Sequence, residues 1–185
     1  MITSTEINKS FRTVLSPILK ENGFSKIESR KSWGWHSECI WVFDIKAVGN
    51  YFSEITGWPP MSICVSLGVH CEFLAQQVEI KRDNRGLSLP KQEQCHFRNN
   101  LSCWLDQSKY TTELSNPAER NRKDIWWIES DGSNLAEVIE DVKKSLLMEG
   151  LSWLNNKSNK SDILREIEER QRLLEDIEKH YAKGY

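Results

Sequence analysis

No stretch of this chain approaches the ~20 consecutive apolar residues that span a bilayer, so the sequence offers no membrane helix. The opening Met1-Ile2-Thr3-Ser4-Thr5-Glu6 has neither a basic stretch nor an apolar one, and does not read as a secretory signal. CxxC spacing is absent, and the five cysteines, Cys39, Cys64, Cys71, Cys95 and Cys103, are odd in number. Together these point to a cytoplasmic protein with reduced, mostly buried thiols. The motifs GxSxG, HExxH, GxGxxG and the P-loop are also missing, so none of those chemistries can be read from spacing. Nor does one sign of charge dominate. Lys and Arg number 25 against 27 Asp and Glu, a net charge of −2, which argues against a globally basic nucleic-acid binder. No internal repeat or low-complexity block interrupts the chain.

What is present fits one domain. The 185 residues are 38% hydrophobic and 28% charged, enough to bury a core without disulfides. The unusual count is tryptophan, eight in all. Each adds apolar area and one N–H that needs an acceptor. Eight are hard to hide completely, which suggests a partly exposed aromatic groove.

Hydrophobic spacing divides the chain into elements. Thr3-x-x-Glu6 is a capping box, followed by Ile7, Phe11, Val14, Leu15, Ile18 and Leu19 on one helical face. Pro17 should kink or break that helix, and Gly23 follows its end. Strands are expected at Phe24–Lys31 and Glu38–Lys46, with Trp33-Gly34-Trp35 as the turn between them. The run from Cys39 to Ile45 is β-branched and aromatic, as for a strand covered on both faces. Further strands are predicted at Met61–His70, Cys95–Leu101 and Asp124–Glu129, with Gln76–Pro90 a long loop or weak strand pair. Leu135, Val138, Ile139, Val142 and Leu146 form a second helical stripe, which Gly150 is expected to break.

A linker at Asn155–Lys160 leads to a last helix from Ser161 to about Lys183, with apolar positions Ile163, Ile167, Leu174, Ile177 and Tyr181. Its pairs Glu166–Arg170, Glu168–Arg172 and Glu175–Lys179 each contribute about 0.2–0.5 kcal/mol. Docking on its own domain is the simpler reading; a homodimer through this helix is the alternative, weakened by Arg170 in the seam. The expectation is an α+β domain over residues 1–156, with an N-terminal helix, an antiparallel sheet of about five strands and two C-terminal helices, residues 157–185 being a helical extension.

The order of several segments is also informative. Phe11-x3-Leu15-x-Pro17-x-Leu19-Lys20-x2-Gly23-Phe24 opens the series. Ile63–Val69, Cys95-His96-Phe97-Arg98-x2-Leu101 and Asp124-Ile125-Trp126-Trp127-Ile128 follow it. This order resembles a bacterial family known as domain of unknown function 4304, from about residue 7 to residue 154. The resemblance implies no reaction and no catalytic residues. A role as an immunity or accessory protein is analogy of scale alone.

Candidate sites follow from residue chemistry. His70-Cys71 and Cys95-His96 bring soft ligands together, but neighbouring strand residues point to opposite faces, and two ligands do not close a tetrahedral site. Cys71 or Cys95 paired with His70, His96 or His36 would make a nucleophile and base only with a depressed thiol pKa and an orienting group. Buried thiols beside ordinary histidines are the simpler reading, and no metal or cofactor is expected.

The most concentrated polar group on a predicted strand is His96, Arg98, Asn99 and Asn100. If Trp126 or Trp127 lies on the adjoining strand, Arg98 can stack on indole. A ligand pocket of Trp41, Trp126, Trp127, His96 and Arg98 results, holding a carboxylate, phosphate or peptide. The structural alternative for Arg98 is an ion pair with Asp44 or Glu129. Residues 81–123 carry nine basic and five acidic residues, whereas residues 124–156 carry two and seven. A basic segment with Trp104 and Tyr110 suits single-stranded nucleic acid, but beside an acidic one it reads more simply as a self-complementary surface. The acidic face of Asp124, Glu129, Asp131, Glu137, Glu140 and Asp141 suits a basic protein partner. The expected function is protein binding, with Glu137, Glu140 and Asp141 at the interface; the alternative is a small-ligand protein or enzyme using the Trp/His/Arg pocket.

Overall fold

The computed structural model describes residues 2–76 and 78–182. Helix α1 (Ser4–Glu21) begins as the capping box requires: the Thr3 hydroxyl accepts from the Glu6 amide and the Glu6 carboxylate accepts from the Thr3 amide. Its stripe Ile7, Phe11, Leu15 and Leu19 is buried. Pro17 does not end the helix. It lies on the exposed side, where the Thr13 carbonyl that loses its amide partner can meet water, and the buried stripe holds both turns in place.

A five-stranded antiparallel meander follows in chain order: β1 (Lys26–Ile27), β2 (Lys31–His36), β3 (Cys39–Ala47), β4 (Ile63–Cys71) and β5 (Phe97–Asn100). The architecture is the expected one, but two boundaries differ. Trp33-Gly34-Trp35 is the middle of β2, and the chain turns at Ser37, whose φ of 50° is left-handed. Gly34 is needed there for proximity: a Cβ would sit 2.5 Å from the Gly23 carbonyl oxygen and 2.9 Å from the His36 ring. Asp124–Glu129 is not a strand. Among the described residues its backbone pairs with the sheet through a single bridge, Trp126 to Ile63, with amide-to-carbonyl bonds of 2.8 and 3.1 Å.

The register fixes which side chains share a face. Trp41, Phe43 and Ile45 of β3 lie opposite Val69, Leu67 and Val65 of β4 on the inner face. With α1 and helix α4 (Leu135–Ser145), they form the main core. The outer face carries Trp33, Ile40 and Val42 at one end, covered by the segment that runs into Cys95. The Trp33 indole donates to the Pro90 carbonyl at 2.8 Å and Trp35 to Ser88 at 3.3 Å, which fastens the cover.

Between β3 and β4 lies helix α2 (Asn50–Thr56); α3 (Ser108–Thr111) follows β5. Gly150 does not break the second stripe. It ends a π-helical turn, Leu146–Gly150, that continues α4 into α5 (Leu151–Asn156), and a Cβ there would meet the Leu101, Leu146 and Leu67 side chains at 2.9–3.2 Å. Helix α6 (Lys160–Ala182) starts on the body: Ile163 is in the core, Lys160 reaches Glu38 at 2.7 Å, and the Trp41 indole donates to Ser158 just before it. Leu173 and Leu174 are exposed further along. Lys183, where the sequence reading ends this helix, lies outside the described residues, as do the side chains of Ile177, Lys179 and Tyr181. No helix among the described residues is long and apolar enough to cross a membrane.

Candidate functional site

The five residues expected to line one pocket are dispersed. Trp126 is fully buried, its indole donating to Asp141 at 2.8 Å. Trp41 lies on the inner face with its ring stacked on His36 at 3.8 Å. Trp127 stacks on Tyr110 at 5.5 Å, beside a satellite cluster of Trp58, Leu114 and Ile125. His96 stacks on His70 at 4.7 Å; its Nδ1 accepts from the Cys71 amide at 3.0 Å, so Nε2 carries the proton toward the Ala75 carbonyl. Arg98 also projects from the outer face, with no tryptophan stacked on it among the described residues. The reason is local: a bridge one residue wide cannot lay Trp126-Trp127 alongside β5.

The acidic patch is also altered. Glu137 and Glu140 are exposed on α4, but Asp141 is only 6% exposed and accepts from both the Trp126 indole and the Trp104 amide, each at 2.8 Å. It is a structural acceptor, not a surface contact. Asp131 caps the turn at Ser133, and Glu129 takes the Trp127 indole at 3.4 Å.

The thiols are placed for packing. Burial pushes Cys95 up to about 12, and Cys71 rises through its hydrogen bond to Cys39 and through burial. Neither is poised as a thiolate. Cys71 faces Cys39 on the inner side of the sheet, at 3.5 Å between sulfurs, while His70 and His96 are on the outer side. Among the described residues no three of His, Cys, Asp and Glu converge. Of the aromatic residues in the basic segment, Tyr110 is taken up by Trp127, and Trp104 lies under the Lys144 ammonium at 5.2 Å.

What the register does bring together is a polar end of the outer face. Asp44 and Lys46 on β3, Cys64 and Ser66 on β4, and Arg98 and Asn100 on β5 alternate onto the same side. With Gln92, Arg122 and Asp124 most of these line a groove of about 560 Å³. Its far wall is pre-formed. The Ser66 hydroxyl donates to Asn100 at 2.9 Å, the Asn100 amide to Asp124 at 3.3 Å, and the Arg122 guanidinium grips Asp124 at 2.7 and 2.8 Å. That grip holds the Asp124 carboxyl below its usual range. Arg122 also reaches Glu119 at 3.2 Å, which accepts the Trp58 indole.

Beside the groove sits Asp44, 1% exposed. Burial raises its pKa, and Lys31 and Lys46, at 3.6 and 3.9 Å, pull it back. Its Oδ2 has no hydrogen bond. Lys46 is shared among Asp44, the Gln92 amide oxygen at 3.2 Å and Glu93 at 3.7 Å. The ion pair considered for Arg98 with Asp44 is therefore made by lysines instead. Arg98 is exposed and has neither a hydrogen bond nor an ion pair among the described residues. The sequence signal for this site was the period-two placement of Asp44 and Lys46, then Cys64 and Ser66, within otherwise apolar strands, and the polar run Arg98-Asn99-Asn100.

These features define the class: an α+β domain on a five-stranded antiparallel meander, with helices on one face and a loop-covered, half-charged face on the other. The chain belongs to the family described as Domain of unknown function (DUF4304), whose model matches residues 15–156. No curated protein and no solved structure matches it.

Proposed function

We propose that this chain is a protein-binding domain, and that the groove on the outer face receives a carboxylate from its partner, with Arg98 as the anchor. The observation that carries this reading is the free guanidinium of Arg98 on a pre-formed polar wall. A planar fork of donors with no hydrogen-bond or ion-pair partner among the described residues suits bidentate capture of a carboxylate. Neighbouring charges are already engaged: Arg122 by Asp124 and Glu119, Lys46 by Asp44 and Glu93. They therefore shape the groove and leave Arg98 to the incoming group. A perturbed buried carboxyl at the edge of a cleft adds to the case.

The test compares wild type with Arg98→Ala and Arg98→Lys, using a fluorescent Asp/Glu-rich peptide and affinity capture from the source cells. Arg98→Ala is expected to keep the melting temperature and weaken peptide binding about tenfold, a charge-assisted pair lost. Lys should restore only part, because a point charge does not replace the fork. Equal binding by all three proteins would end this reading.

A further inference from the structure

At the opposite edge of the sheet, α1 and β1 enclose a second groove, of about 800 Å³, that shares no residue with the Arg98 groove. Lys9, Arg12 and Lys20 line it from α1, together with Thr13, Ser16 and Ser29, and among the described residues no acidic one contributes. None of the three cations has a hydrogen bond or ion pair among the described residues. Two nearby acids are engaged elsewhere: Glu6 caps Thr3, and Glu28 pairs with Lys26 at 3.7 Å. A fourth cation, Arg30, is held at the rim, its Nε donating to Asn8 at 2.7 Å. Within the wall, the Ser16 hydroxyl is buried without a partner.

Like charges along one helix face cost helix stability, and a buried hydroxyl without a partner costs more. An anion in the groove relieves the first cost, and relieves the second once the Ser16 side chain turns out of the wall to meet it. Lys9 to Lys20 spans about 16 Å of helix axis at 1.5 Å per residue, too long for one small anion. Nucleic-acid strands bind by stacking as well as by phosphate contacts, and among the described residues no aromatic side chain lines this wall. We propose that the α1–β1 groove is a binding site for a chain of phosphate groups, an oligophosphate, held by Lys9, Arg12 and Lys20 with hydroxyl donors beneath.

The test is calorimetric titration of the full chain with tripolyphosphate, orthophosphate and a single-stranded oligodeoxythymidylate at low ionic strength. Tripolyphosphate is expected to bind more tightly than orthophosphate and to lose affinity steeply with added salt. Lys9→Ala, Arg12→Ala and Lys20→Ala should each weaken it about tenfold, while Arg98→Ala leaves it unchanged. The three side chains are exposed, so these variants keep the fold. Ser16→Ala provides an independent readout, with weaker tripolyphosphate binding at undiminished melting temperature. The proposal is overturned by no tripolyphosphate binding, by binding lost with Arg98→Ala in place of the α1 variants, or by tighter binding of the oligonucleotide.

Discussion

The two faces of the sheet solve different problems with the same strands. The inner face is apolar from Cys39 to Ile45 and from Ile63 to Cys71, and two helices cover it. The outer face is apolar only where Trp33, Ile40 and Val42 meet the Ser88–Cys95 cover, then becomes charged at Asp44, Lys46 and Arg98. A continuous apolar surface makes a core. A surface that changes character halfway leaves a boundary where charged groups lie close to low-dielectric protein, and there an unpaired guanidinium gains most from a partner.

Three measurements sharpen this contrast. The largest effect belongs to the inner face. Leu67→Ala, fully buried between helices and sheet, should cost about 2–5 kcal/mol in denaturant unfolding, whereas Arg98→Ala on the outer face should stay within about 0.5 kcal/mol. Equal losses would mean that the outer face is as essential to the fold as the inner one. Next comes the acidic segment. Asp141→Ala strands two donors, the Trp126 indole and the Trp104 amide, and should cost about 2–4 kcal/mol. Its exposed neighbour Glu140→Ala should stay within about 0.5 kcal/mol. The smallest effect is in pH. Burial lowers the His70 pKa, with the neighbouring His96 adding to the shift, and burial also lowers that of His36. A histidine depressed in the folded state binds its proton more readily when unfolded. The stability it contributes is therefore complete above the unfolded value near 6.5, and is lost as pH falls through the folded one. Melting temperature should fall on acidification below 6.5, less so in His70→Gln, read by calorimetry across that range.

Much of the fold was legible before any coordinates. Thr3 and Glu6 mark the start of α1 because a capping box is a short-range device, and the stripes of α1 and α4 declare their buried faces by period. The apolar runs of β3 and β4 announce strands covered on both sides. Misreadings arose where residues distant in sequence intervene. Gly34 reads as a turn residue, yet it is glycine because the Gly23 carbonyl and the His36 ring crowd its Cα. Gly150 reads as a helix breaker, yet it is glycine because Leu67 and Leu101 press against it. Ile125-Trp126-Trp127-Ile128 has strand composition, yet one bridge to Ile63 is all the sheet offers it. The candidate site was half legible. Arg98 stood out for its polar neighbours, but its expected tryptophan partners did not follow, and Lys46, Ser66 and Arg122 come from elements that sequence spacing does not relate.

The sequence by itself determined the helix and strand periods, the α+β class and the family, because caps and periodicity act over a few residues. Only the tertiary structure decided that Asp141 is a buried acceptor, that Trp41, Trp126 and Trp127 occupy separate surroundings, and that Arg98 has no ion-pair partner among the described residues. Burial and pairing depend on what the rest of the chain brings within a few ångströms, and register across the sheet sets that.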